Sequence, residues 1–138
     1  MARGSKKGDL TAADYRTLAE FRYLMRRYLA FSKGAAEKAG LTPQQHQALL
    51  AIKGGDEVTV GKLAENLLLR HNSAVGLADR LVHAGYVARH TDAKDRRRVT
   101  LALTENGEEI LGGLATTHRE ELRQLTPALR TLFAKLES

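Results

Sequence analysis

The sequence contains no cysteine. That removes disulfides, thiolate metal sites and thiol redox sensing together, and points to a reducing compartment. No apolar stretch approaches the roughly 20 residues that a membrane span requires. The opening MARGSKKGDL carries basic residues without the apolar core of a signal peptide. A cytoplasmic protein with no membrane partner is therefore expected. Low-complexity tracts are absent as well. With 43% hydrophobic and 28% charged residues over 138 positions, the chain falls among ordinary globular proteins long enough to bury a core unaided.

The signatures of common catalytic sites are also missing. There is no GxxxxGK[ST] phosphate loop, no GxGxxG after a strand and no GxSxG elbow. Ser73 stands close to His71, but a catalytic triad is assembled in space rather than along the chain. Neither enzyme activity nor a cofactor is expected, and no catalytic residue is assigned. Five histidines (His46, His71, His83, His90 and His118) include no pair at HxxxH spacing. No metal ligand is assigned, and a zinc-dependent regulator stays open as an alternative that needs convergence in space.

What is present is positive charge and helical periodicity. Lysine and arginine number 22 against 16 acidic residues, a net +6 that favours polyanionic partners. Residues 1–9 are polar, basic and glycine-containing, and read as a loose arm outside the fold. From Leu10 to about Ala39, the residues Tyr15, Leu18, Phe21, Met25, Tyr28 and Leu29 recur every three or four positions and mark one face of a long helix. Thr11 with Asp14 can cap its start, and Gly40 ends it.

In LTPQQHQALLAI, Thr42 is a natural cap, Pro43 suits the first helical position and Gln45 completes a capping box. This second helix runs to about Lys53 and breaks at Gly54-Gly55. VTV at 58–60 predicts a short extended stretch before helical spacing resumes in Val60, Leu63, Ala64 and Leu67. A fourth helix follows, capped by Asn72 or Ser73, with Ala74, Leu77, Ala78 and Leu81 on one face and Gly85 as terminator. Two β-prone runs, Tyr86 to His90 and Val99 to Leu103, read as a hairpin around a charged turn. Thr104 can cap a long helix to about Gln124, and Thr126-Pro127 opens a further one. The predicted fold is mainly α with a small β-hairpin wing.

Two short helices followed at once by an arginine-rich ribbon form a winged helix-turn-helix. One helix fits a major groove about 12 Å wide, and the ribbon reaches the neighbouring minor groove or the phosphates. Residues 58–104 hold eight basic and four acidic side chains, so most of the net charge sits in about a third of the chain. With Ala74, Leu77, Ala78 and Leu81 inward, a period of 3.6 turns Asn72, Ser73, Gly76 and Arg80 outward as groove-reading candidates. Asn pairs with adenine, Arg with guanine or phosphate, and Ser with either. Arg70 and His71 lie at the mouth of this helix, where His71 suits a phosphate or base contact. Gly76 costs roughly 1 kcal/mol relative to alanine in a helix. Close approach to DNA explains it, and so does a tolerated small residue.

The segments TPQQHQALLAI, HNSAVGLADRLVHAGYVAR and DAKDRRRVTLALTENG, in this order and spacing, resemble the MarR family of transcriptional regulators from Leu10 to the end. The resemblance implies that Asp95 and Arg97 form an ion pair aiming the arginine at the minor groove, within a DNA-binding wing of Lys94, Asp95, Arg96, Arg97 and Arg98. It also implies a dimerisation lobe from residues 10–40 and 104–138, flanking a DNA-binding lobe at 41–103. In that lobe the stripe Tyr15 to Leu29 meets that of Ile110, Leu111, Leu114, Leu122, Leu125, Leu129, Leu132 and Phe133. Many members sense oxidants through cysteine, which this chain lacks. Others bind small phenolic anions between the lobes, where Tyr23, Arg27 and His46 are either ligand groups or ordinary residues. The function implied is a sequence-specific repressor that binds double-stranded DNA as a homodimer on a pseudo-palindromic operator, relieved by a small anionic or aromatic ligand. The competing readings are a winged-helix architectural module without sequence preference, or the zinc-dependent regulator.

Overall fold

In the computed structural model, residues 8–138 are described, so the arm expected over 1–9 lies outside them except for its last two positions. The elements in order are α1 (Ala12–Lys38), α2 (Pro43–Gly54), α3 (Val60–Leu67), α4 (His71–His83), β1 (Val87–Thr91), β2 (Val99–Leu103) and α5 (Glu105–Glu137). The chain is mainly helical, with one antiparallel two-stranded sheet pairing Val87 with Leu103 through to Thr91 with Val99.

Local chemistry sets most helix starts. At α1 the Thr11 hydroxyl accepts from the Asp14 N–H at 3.2 Å, while the Asp14 carboxylate accepts from the Thr11 N–H at 2.9 Å. Thr42 and Gln45 form the same reciprocal box at α2, with Pro43 in the first turn. Thr59 caps α3 through the Lys62 N–H. In α4 the helix begins two to three residues earlier than its polar residues suggest: Arg70 is the cap and makes no side-chain bond, so Asn72 and Ser73 lie inside the first turn.

Three helices end in one way. At α1, α3 and α4 paired N–H groups reach back five and three residues: Leu41 to Ala36 and Gly40 to Glu37, Leu69 to Ala64 and Leu68 to Glu65, Tyr86 to Leu81 and Gly85 to Val82. This closure requires a left-handed residue at its centre. Gly40 (φ 85°) and Gly85 (φ 86°) supply it without strain, whereas α3 uses Leu68 at φ 56° with its side chain 92% exposed. A left-handed conformation costs an L-residue about 1–2 kcal/mol, and glycine's greater unfolded-state freedom offsets about 0.5–1 kcal/mol of that. Leu68→Gly is therefore expected to stabilise the fold by about 0.5–1 kcal/mol, read as a higher urea midpoint. A lower midpoint would show that the exposed leucine does more than close the helix.

Two sequence expectations are corrected. Residues 58–60 form no strand: Val58 gives only its carbonyl to the Leu101 N–H of β2 (2.7 Å), and Val60 already begins α3. Thr59 explains this, because its capping hydroxyl starts the helix immediately after a single extended residue. Nor does Thr126-Pro127 open a new helix, since α5 runs unbroken across Pro127. Proline removes one intrahelical donor, but Leu125 before it and Leu132 after it are both buried in one cluster with Leu24. Packing on both sides of the proline holds a single axis where local preference favours a break.

The chain divides into two compact units, one made of the residues up to Phe31 with Arg119–Ser138, the other of Ser32–His118. The division falls inside α1 and α5 rather than at their ends. In the central unit Ala36 from α1 and Leu111 and Leu114 from α5 join Leu49, Leu63, Leu77, Leu81, Val87 and Leu101 in one core. The terminal unit buries much less, with Leu24, Leu125 and Leu132 inside and Tyr15, Leu18, Met25, Leu29 and Phe133 exposed.

Candidate nucleic-acid interface

The central unit contains the helix-turn-helix and the wing. In α4 all four expected core residues, Ala74, Leu77, Ala78 and Leu81, are buried, and they seat the helix against α2 and α3. The same 3.6-residue period turns His71, Asn72, Ser73 and Arg80 to solvent, with Arg70 exposed just before them. No side chain caps the helix, so its first-turn N–H groups add partial positive charge to this face. Gly76 is half-buried, and a Cβ there would lie 3.4 Å from Arg80 Nη1. That is ordinary contact with the end of a flexible side chain, so an alanine would fit there.

In the wing, Val87 at the foot of β1 is buried while Arg89, His90 and Thr91 are exposed, so the strand passes from core to solvent within five residues. Asp92 shapes the turn by accepting from the Lys94 N–H (2.7 Å) and the Asp95 N–H (3.3 Å). Asp95 Oδ1 then accepts from both the Arg97 backbone N–H (3.1 Å) and Arg97 Nε (3.3 Å), yet the Arg97 side chain remains 94% exposed. The ion pair restricts the arginine near its root and leaves its outer nitrogens open. Lys94 and Arg96 flank it, also exposed.

Two further ion pairs join the wing to the helices, and no sequence pattern announced them. Arg89 of β1 bonds Asp79 of α4. Arg98 donates to Glu57, in the loop before α3, at 3.2 Å. Arg98 thus has a partner within its own unit, unlike the outer nitrogens of Arg97. These are half-exposed pairs, each worth about 1 kcal/mol or less, and their effect is to limit how the wing tilts. Both involve partners 10 or 41 residues apart, so neither short-range spacing nor helical period marks them.

The three ligand candidates are distributed between the units. Tyr23 and Arg27 lie one helical turn apart on α1 in the terminal unit, with the guanidinium 5.9 Å from the ring centroid. His46 is buried in the central unit against His118, with ring centroids 4.6 Å apart. Burial, then the neighbouring His118, holds the His46 pKa below the usual imidazole value. His71, His83 and His90 are exposed. Among the described residues no three His, Cys, Asp or Glu side chains group together as a metal would require, and no helix is long and apolar enough to cross a membrane.

A profile of the MarR family matches residues 39–98, which span α2 to the wing tip. Among curated Bacillus subtilis proteins, the chain is 38% identical over 91 residues to the HTH-type transcriptional regulator YcgE, covering 65% of this chain and 59% of that one. It is 36% identical over 81 residues to the HTH-type transcriptional repressor MdtR, covering 56% and 52%. To the organic hydroperoxide resistance transcriptional regulator it is 32% identical over 114 residues, covering 75% and 78%. The chain thus spans between half and three fifths of the first two relatives. Solved structures include a mutant of S. aureus MepR bound to an oligodeoxyribonucleotide (TM-score 0.67, 20% identity, covering 93% of this chain and 99% of that one). Another is CouR from Rhodococcus jostii RHA1 bound to p-coumaroyl-CoA (TM-score 0.71, 20% identity, 94% of each chain). These two structures share the winged-helix fold. The chain belongs to the MarR family of transcriptional regulators.

Proposed function

We propose that this protein is a sequence-specific, homodimeric DNA-binding repressor of the winged helix-turn-helix type. The observation that carries this reading is Arg97, a cation bonded twice to Asp95 while almost fully open to solvent at the end of a charged ribbon. Among the described residues nothing uses its outer nitrogens, and a minor groove or phosphate is the partner its geometry suits. On α4, Asn72, Ser73 and Arg80 face outward to read base edges in a major groove. Arg70, His71, Lys94 and Arg96 meet phosphates on either side, while Asp95 and Arg98 set the direction of the wing.

A second copy gives the arrangement its operator. The exposed apolar side chains of the terminal unit, with an apolar cleft of about 170 Å³ bordered by Met25, Leu29 and Leu122, suit burial against a partner protomer. Twofold symmetry then calls for half-sites about 34–36 Å apart on a pseudo-palindrome. Repression is supported by the relative named as a repressor, MdtR. A small anionic or aromatic ligand, as in the CouR structure, relieves it by binding the DNA-incompetent state more tightly. Tyr23 and Arg27 offer an aromatic face beside a cation for such a ligand.

Selection of bound duplexes from a random pool tests the reading, with a twofold-symmetric consensus as the expected result. Arg97→Ala should weaken binding to all duplexes and lower the salt slope by about one. Asn72→Ala and Arg80→Ala should each relax preference at one base position, by about 1–3 kcal/mol, with the salt slope less changed. Equal losses on selected and random duplexes for the latter two would remove the base-reading role and leave an architectural binder.

A further inference from the structure

We propose that the His46–His118 pair is an acid-sensitive latch inside the central unit, in which protonation of His46 loosens α2 from α1 and α5 and so weakens duplex binding. The second half of this proposal rests on the DNA-binding reading above.

Among the described residues, the buried polar or charged side chains are Thr17, His46 and His118, so these two imidazoles are the titratable groups withdrawn from water. His46 comes from α2 and His118 from α5, with rings 4.6 Å apart and tilted by 43°. Leu114 offers a carbonyl oxygen 2.7 Å from His118 Nδ1, so that nitrogen carries the proton and donates. His118 Nε2 of the neutral ring then accepts from the Ser32 hydroxyl of α1 at 2.8 Å.

His46 differs. Its Nδ1 is buried and has no hydrogen-bond partner. As a bare lone pair it is a modest liability, but as N–H⁺ it becomes a buried cationic donor without an acceptor, beside a second imidazole. No carboxylate stands inside to compensate. The charged side chains on the helices and strands of this unit are Lys33, Glu37 and Lys38 of α1, Lys53 of α2, Lys62 and Glu65 of α3, Asp79 and Arg80 of α4, Arg89 of β1, and Glu105, Glu108 and Glu109 of α5. All of them are exposed, and Lys53 and Glu108 bond each other. Desolvation first, and then His118, keep His46 neutral in the folded chain.

The direction of the effect follows. The unfolded chain takes up a proton near the ordinary value of 6.5, whereas folded His46 takes it up only at lower pH. Stability is therefore complete above about pH 6.5 and is lost as pH falls from there through the lowered folded value. The loss reaches the DNA-reading surface because Ala48, Leu49 and Ile52 of α2 share one core with Leu77 and Leu81 of α4 and Val87 and Leu101 of the wing.

The latch is testable with the full chain. Thermal midpoint and affinity for a selected duplex are measured at about pH 7.5 and about pH 5.5 at constant ionic strength, for the parent, His46→Phe and His46→Gln. For the parent, both midpoint and affinity should fall in acid. Both variants should hold their midpoint and lose less affinity in acid than the parent. An identical acid loss in the variants overturns the proposal. Should the variants fail to fold, ring resonances of the parent decide it: His46 titrating at or above the ordinary imidazole value of 6.5 overturns the latch, and His46 titrating below it supports the latch. A midpoint that moves as stated in a protein that binds no duplex at either pH upholds the latch and overturns the DNA-binding reading instead.

Discussion

Replacing Leu18 and Leu29 together with glutamate is expected to leave a folded monomer that binds duplex DNA about a hundredfold more weakly. Both side chains lie on α1 and each is 53% exposed within the protomer, so the protomer's own core does not need them. The terminal unit buries only Leu24, Leu125 and Leu132 as a cluster of its own. An apolar face this much larger than the core behind it contributes little until a second copy covers it, at roughly 25 cal/mol per Å² of apolar surface removed from water. Glutamate there would place two carboxylates in that contact without partners. Sedimentation should show the change from dimer to monomer, with far-UV circular dichroism unaltered. A parent that sediments as a monomer, or a double variant that remains dimeric, would take away both the interface and the two-half-site operator.

Gly107→Ala should destabilise the protein by about 3 kcal/mol, at the top of the range for overpacking a filled site. A Cβ at Gly107 would run into the Tyr86 carbonyl oxygen and come within 3.1 Å of its carbon and 3.4 Å of Leu103 Cβ. That carbonyl already accepts the Thr104 N–H at 3.0 Å. Thr104 in turn donates its hydroxyl to the Gly85 carbonyl (2.5 Å) and accepts from the Gly107 N–H (3.1 Å). The first turn of α5 is thus pinned to the turn between α4 and β1 by backbone groups that cannot rotate aside, so the added methyl must separate them. Gly113→Ala in the same helix has nothing within 4 Å of the new methyl and should gain about 0.5–1 kcal/mol from helix propensity. Denaturant midpoints compare the two directly, and equal effects would refute the steric account.

The exposed face of α4 and the wing was legible wherever its cause is local. Asn72, Ser73 and Arg80 are exposed because Ala74, Leu77, Ala78 and Leu81 take the opposite face of α4, a consequence of period alone. The Asp95–Arg97 pair spans two residues and forms as the family resemblance implied. Arg98 was grouped with its neighbours as one charge run, yet a carboxylate 41 residues away gives it a partner. Gly76, read either as a close approach to DNA or as a tolerated small residue, would meet Arg80 Nη1 only at ordinary contact distance if it carried a Cβ.

The order of residues, through helical period and capping chemistry, determined the starts of α1, α2 and α5, the inward face of α4 and the charged ribbon, because each depends on contacts within a turn or two. Packing alone decided that α5 passes through Pro127, that Asp79 and Glu57 hold the wing, and that two of five histidines meet in the interior. Those outcomes are set by groups far apart along the chain, whose proximity exists only once the core around Leu49, Leu77 and Leu114 has closed.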